Sequence, residues 1–196
     1  MKALKLIVSA CALTMATASH AGLVGKTFDT YYAFPDIDTP YGFATATPAT
    51  FVVGAGVETT FEVEDVTSIS ADFSDSALTL VLNTSLNQPT WNATSFNGLV
   101  FDLAAGGPLD IVSAAVDPGT TMAGFDASRV VFDAGRIGIN WAGLSYVDGT
   151  TVTVNFTSAV PEPSTWALFV LGGILMLAAR REPPRRAAVS HQPPTA

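Results

Sequence analysis

The sequence predicts an all-β protein, a single antiparallel β-sandwich of jelly-roll-like kind, flanked by an N-terminal signal peptide and a C-terminal transmembrane helix. Three observations predict it. Between residues 22 and 159 no stretch sustains a helical period; short alternating apolar and polar runs, rich in Thr, Val and Phe, are divided by Gly, Pro, Asn and Asp. Before them, Lys2 and Lys5 precede the apolar run Leu6 to Ala18, which leads into Ser19-His20-Ala21. After them, Trp166 to Ala179 carries no charge and closes on Arg180-Arg181.

The N-terminal segment reads as a cleaved secretory signal peptide, residues 1–21, with Ala21 and Gly22 flanking the cut and small residues at the −3 and −1 positions. A lipoprotein reading of Val8-Ser9-Ala10-Cys11 fares worse, because too few apolar residues precede the cysteine. Residues 22–159, roughly 140 in all, then form one domain with its own core. Cys11, the only cysteine, leaves with the signal peptide, so the domain holds no thiol or disulfide.

Taken in order, Thr27 to Phe34 is an aromatic-rich strand that ends at the loop Pro35-Asp36-Ile37-Asp38-Thr39-Pro40. Thr50 to Val53 and Val57 to Val66 follow, parted by Gly54-Ala55-Gly56, with Phe61 and Val63 facing in and Glu62 and Glu64 out. The same alternation turns Ile69, Ala71 and Phe73 inward, then Leu78, Leu80 and Leu82. Trp91 to Phe96 and Leu99 to Leu103 are read as runs around Asn97-Gly98, a hairpin signal because both residues tolerate positive φ. Gly106-Gly107-Pro108 and Asp117-Pro118-Gly119 bound the run Leu109 to Val116. Val130 and Phe132 precede the turn Asp133-Ala134-Gly135, and Ile137, Ile139 and Trp141 share an inward face. Asp148-Gly149 signals a two-residue hairpin turn, after which Val152, Val154 and Phe156 form the returning inward face.

Charge and residue usage bound the chemistry. Residues 22–159 hold fifteen aspartates and glutamates against Lys26, Arg129 and Arg136, a balance of −12 that repels nucleic acid and anionic lipid. The two histidines, His20 and His191, lie outside this stretch, which excludes Ser-His-Asp and Cys-His catalysis and the usual transition-metal ligand sets from the domain. No phosphate loop or dinucleotide fingerprint is present. A carboxylate pair for glycoside hydrolysis would come from Glu58, Glu62, Glu64, Asp72 and Asp75, yet alternation puts most of these on a solvated face. The domain is therefore expected not to be an enzyme and to need no cofactor. Binding calcium is a better use of this acid than catalysis, through loops such as Asp36-Ile37-Asp38, Glu64-Asp65 or Asp72 to Asp75, though none matches a defined motif and no ligands are assigned. Of the aromatics that might stack on sugars, Tyr31, Tyr32, Trp91, Trp141 and Tyr146, Trp141 is assigned to the core and Trp91 alone to a partly exposed position.

The C-terminal stretch speaks to delivery. Pro161 and Pro163 hold Val160-Pro161-Glu162-Pro163 extended and outside any helix. The fourteen apolar residues from Trp166 make roughly 21 Å of helix against a ~30 Å hydrocarbon core, so Ser164, Thr165 and snorkelling arginines must stretch it. A buried core helix would show a polar face, and this run is apolar all round. Arg180 and Arg181 place their end on the cytoplasmic side and the N-terminal domain outside.

Val160-Pro161-Glu162-Pro163, then Ser164-Thr165, Trp166-Ala167-Leu168, a short hydrophobic helix and an arginine cluster resemble the C-terminal sorting signal of PEP-CTERM proteins. The signal is assigned to residues 160–181, with the transmembrane helix at 165–181 and a disordered cytoplasmic-side tail at 182–196 that runs on further than the family's usual ending. The resemblance implies export through the inner membrane of a Gram-negative, exopolysaccharide-producing bacterium. It further implies recognition at Pro-Glu-Pro by a membrane-embedded exosortase, with the domain cleaved and released or transferred. Phe96-Asn97-Gly98, Met122 to Arg129 and Ile139 to Leu144 resemble the small β-sandwich ectodomain of many such proteins, which implies a fold and no activity. The expected function is that of a surface or extracellular-matrix protein with a structural or adhesive role linked to exopolysaccharide. A carbohydrate-binding module, calcium-dependent or not, is the alternative, and a carboxylate-based glycan hydrolase the third.

Overall fold

Strands form here because β-branched and aromatic residues recur at about every second position, which gives most strands a mainly apolar face and a more polar one. The structure, a computed structural model, describes residues 22–159. Among them are eleven strands: β1 (Thr27–Ala33), β2 (Ala44–Thr47), β3 (Thr50–Val52), β4 (Val57–Val63), β5 (Thr67–Phe73), β6 (Ala77–Thr84), β7 (Gly98–Ala105), β8 (Ile111–Val116), β9 (Val130–Phe132), β10 (Arg136–Asn140) and β11 (Thr150–Ser158). A single 3₁₀ turn, Ala127–Arg129, precedes β9. The strands pair antiparallel in two sheets, β3-β1-β7-β10-β9 and β2-β4-β5-β6-β11-β8. The expected signal peptide 1–21, transmembrane helix 165–181 and tail 182–196 lie outside the described residues. Among the described residues no helix is long and apolar enough to cross a membrane.

The inward residues read from alternation are buried: Phe61 and Val63, Ile69 to Phe73, Leu78 to Leu82, Ile137 to Trp141, Val152 to Phe156. Their core is graded along the strands. Phe28 stacks on Phe73 at 5.5 Å, and the Phe101 ring stands edge-on to Phe73 at 5.0 Å and to Phe61 at 6.0 Å, so phenyl rings from both sheets interlock. Four residues along β1 from Phe28, Tyr32 joins a second cluster, with Trp141 at 6.1 Å and Trp91 at 5.6 Å. One end of the core is thus built on phenyl rings; the other carries phenol and indole groups.

Three readings are corrected. Asn97-Gly98 is no hairpin: Gly98 opens β7 between Ala33 of β1 and Asn140 of β10, and a Cβ there would lie 1.8 Å from the Ile139 carbonyl oxygen. The glycine serves close backbone approach rather than positive φ. Asp148-Gly149 does turn, with Thr150 N–H donating to the Val147 carbonyl at 3.0 Å and Gly149 at φ 77°, but it leads from one sheet to the other. The run Trp91 to Phe96 is a loop rather than a strand, pinned by Trp91 N–H on the Leu144 carbonyl (2.9 Å) and Phe96 N–H on the Pro35 carbonyl (3.0 Å). Sequence analysis also left β2, Ala44–Thr47, unassigned, because its small residues pack only partly against the core.

Candidate functional site

The Tyr-Trp end of the core opens into a cavity of about 170 Å³ between the two sheets. It forms there because the end of β1, the β4–β5 turn, the stretch after β6 and the start of β7 all reach the same edge of the sandwich. β1 contributes Tyr32, the loop after it Phe34 and Tyr41, the turn Glu64, β5 Thr67, and the loop between β6 and β7 Thr90, Trp91 and Asn97. Tyr146 closes it from the segment before β11.

Most of these groups are held by bonds to one another. Trp141 Nε1–H donates to Tyr32 Oη at 2.8 Å, Tyr32 O–H to Asn97 Oδ1 at 2.6 Å, and Asn97 Nδ2 to the Asn92 carbonyl at 3.1 Å. Tyr146 Oη and Thr67 Oγ1 lie 2.7 Å apart, and Thr67 reaches Thr84 Oγ1 at 3.0 Å. Burial pushes the Tyr32 phenol well above its ordinary range, and the Tyr146 phenol upward as well. Tyr41 O–H donates to Glu64 Oε1, and that bond, with burial and the carboxylate charge, pushes its pKa up to about 12. Both central residues of the β4–β5 turn, Glu64 and Asp65, take positive φ, 53° and 57°, which is uncommon for residues with a side chain.

Trp91 is the exception. It is half-buried, lies parallel to Tyr146 at 4.7 Å and stacks on Trp141 at 5.6 Å, and Gly143 N–H and the Leu144 carbonyl bond its backbone. Its indole Nε1–H is nevertheless buried with no acceptor among the described residues. An unmade bond of that kind costs about 1–3 kcal/mol. The cavity therefore presents an aromatic wall and the carboxylate of the exposed Glu64, and Trp91 in that wall carries one unmet donor just beneath the surface.

The expected exposure of Trp91 and burial of Trp141 hold, though Tyr31 is half-buried as well. The carboxylates proposed for calcium or for catalysis are dispersed, and several are already engaged. Asp36 accepts from Asp38 N–H and the Thr39 hydroxyl, and Asp38 pairs with Arg136 at 2.6 Å. Glu58 accepts from Gly54 N–H and Phe73 N–H, which ties it to the loop after β3 and to the end of β5. Glu62 and Asp75 are exposed and Asp72 is half-buried. Among the described residues no three His, Cys, Asp or Glu gather to hold a metal ion. Tyr41, Asn97 and Thr67 were missed by sequence reasoning, since their roles depend on partners 17 to 79 residues away.

The second site lies in sequence beyond the sandwich. A family model of the PEP-CTERM protein-sorting motif matches residues 159–186. The chain carries a PEP-CTERM sorting motif. The match takes in Val160, Pro161, Glu162 and Pro163, then Trp166, Arg180 and Arg181, and runs on through Arg186; all of these lie outside the described residues, as does Ala21, while Gly22 is the first described. No curated protein and no solved structure matches the chain. The PEP-CTERM motif marks an exported protein targeted to an exosortase-type enzyme, sorted at a membrane.

Proposed function

We propose that this chain delivers a non-catalytic β-sandwich to the surface or matrix of a Gram-negative cell, where it has a structural or adhesive role linked to exopolysaccharide. The observation that carries this reading is the PEP-CTERM motif at 159–186, directly behind a sandwich whose last strand ends at Ser158. The acidic surface fits a role outside the cell, away from nucleic acid and anionic lipid. A non-catalytic role is supported by carboxylates spent on structure: Glu58 on backbone N–H groups, Asp38 and Asp102 on Arg136. The test is the intact mass of the protein from the culture supernatant, envelope and matrix of its host. A species running from Gly22 to near Pro163 is expected outside the inner membrane, and its matrix-bound share should fall in a host that makes no exopolysaccharide. Full-length chain confined to the inner membrane would overturn the proposal.

A second reading, a carbohydrate-binding module, is favoured by the cavity at Trp91. Its calcium-dependent form draws no support from the described carboxylates.

A further inference from the structure

We infer that the Trp91 cavity seats a single neutral sugar ring, whose hydroxyls accept from Trp91 Nε1–H and donate to Glu64. This deepens the carbohydrate-binding reading and rests on it. Three observations point to that ligand class. The lining is amphipathic: Tyr32, Phe34, Tyr41 and Trp91 bring aromatic rings, while Glu64 offers a carboxylate, the mixture that suits a molecule with C–H faces and a hydroxyl rim. A purely apolar ligand would leave the Trp91 donor unmet.

Size comes next. About 170 Å³ falls below the ~300 Å³ at which drug-sized pockets begin, so one ring enters, end-on, rather than a chain lying across. Leu86 and Thr90, both exposed, stand at the rim. The indole N–H lies beneath the surface, so a hydroxyl reaches it only as the side chains around it shift; binding must change the surroundings of Trp91.

Charge decides the rest. Each basic side chain of residues 22–159 is engaged and none lines the cavity. Lys26 Nζ donates to the carbonyls of Gly106, Gly107 and Pro108 at 3.1, 3.3 and 2.9 Å. Arg129 donates to the Ala142 carbonyl at 2.7 Å, and Arg136 lies between Asp38 and Asp102, 2.6 Å from each. An acidic sugar would meet Glu64 with no cation to offset it.

The experiment is calorimetric titration of the full chain, held in a detergent without a sugar headgroup. The probes are the methyl glycosides of glucose, galactose and mannose, with glucuronate and benzyl alcohol as the acidic and aromatic counterparts. At least one neutral glycoside should bind, one per chain, with a change in tryptophan emission, and glucuronate should bind at least about tenfold more weakly. Trp91→Phe, which keeps a ring and removes the donor, and the exposed Glu64→Gln should each weaken binding about tenfold with the unfolding midpoint of Glu64→Gln close to that of the parent. No glycoside binding, equal glucuronate binding, a preference for benzyl alcohol, or binding unchanged in both variants would overturn the inference. In the host, matrix retention that survives Trp91→Phe would sink the sugar pocket and leave the surface role standing. Glycoside binding by the purified chain, with none of it found outside the inner membrane, would do the reverse.

Discussion

At Gly98 the absence of a side chain matters because two backbones must meet. Its place in β7, opposite Asn140 of β10, puts the Ile139 carbonyl oxygen where a Cβ would be, at 1.8 Å, and neither strand can retreat without breaking its ladder. Gly98→Ala should therefore lower stability by about 3 kcal/mol, the upper part of the range for overpacking a close-packed interior. Gly42→Ala, where nothing lies within 4 Å and no positive φ is recorded, should change it by less than about 0.5 kcal/mol. Urea denaturation of the two variants checks the contrast; equal losses would mean that glycine entropy rather than close approach explains Gly98. Asn97 beside it is equally specific, since its side chain accepts from Tyr32, donates to Asn92 and leaves its backbone N–H for Asn140 Oδ1.

Between elements, the β4–β5 turn is tied to the segment before β2 by Tyr41 and Glu64, a bond that exists only while the phenol keeps its proton. Each of the four tyrosines is pushed up from its ordinary value: Tyr41 to about 12, Tyr32 and Tyr146 chiefly by burial, and Tyr31 by burial and then by the charge of Asp102. In the unfolded chain these phenols ionise near about 10. The folded state thus holds protons that the unfolded state has lost, and stability present in full below pH ~10 should fall steadily as the pH rises through about 12. Tyr41→Phe should flatten part of that fall and leave stability near neutral pH lower by roughly the worth of one hydrogen bond, about 1 kcal/mol. Denaturation midpoints across alkaline pH, read beside phenolate absorbance, test this; a wild-type profile flat to pH ~12 would contradict it.

For the whole molecule, the core of residues 22–159 draws on both sheets and reaches from the phenyl cluster of Phe28, Phe73 and Phe101 to the cavity at Trp91. A fragment spanning Gly22 to Ala159 should accordingly fold by itself and unfold in one cooperative transition, with circular dichroism and tryptophan emission giving the same midpoint. Separate midpoints would show that the Tyr-Trp end unfolds apart from the phenyl end. The sequence by itself determined the fold class, the inward residues of most strands and the presence of the sorting motif, because alternation and a contiguous motif are local along the chain. Tertiary structure alone decided that Gly98 is a point of contact and not a turn, that Asp38 belongs to Arg136, and that the Trp91 indole N–H is buried without an acceptor among the described residues. Those facts depend on which strands become neighbours across two sheets, and the partners of Tyr32, Thr67 and Trp141 lie 65, 79 and 109 residues away. No local pattern encodes such distances; packing the two apolar faces together does.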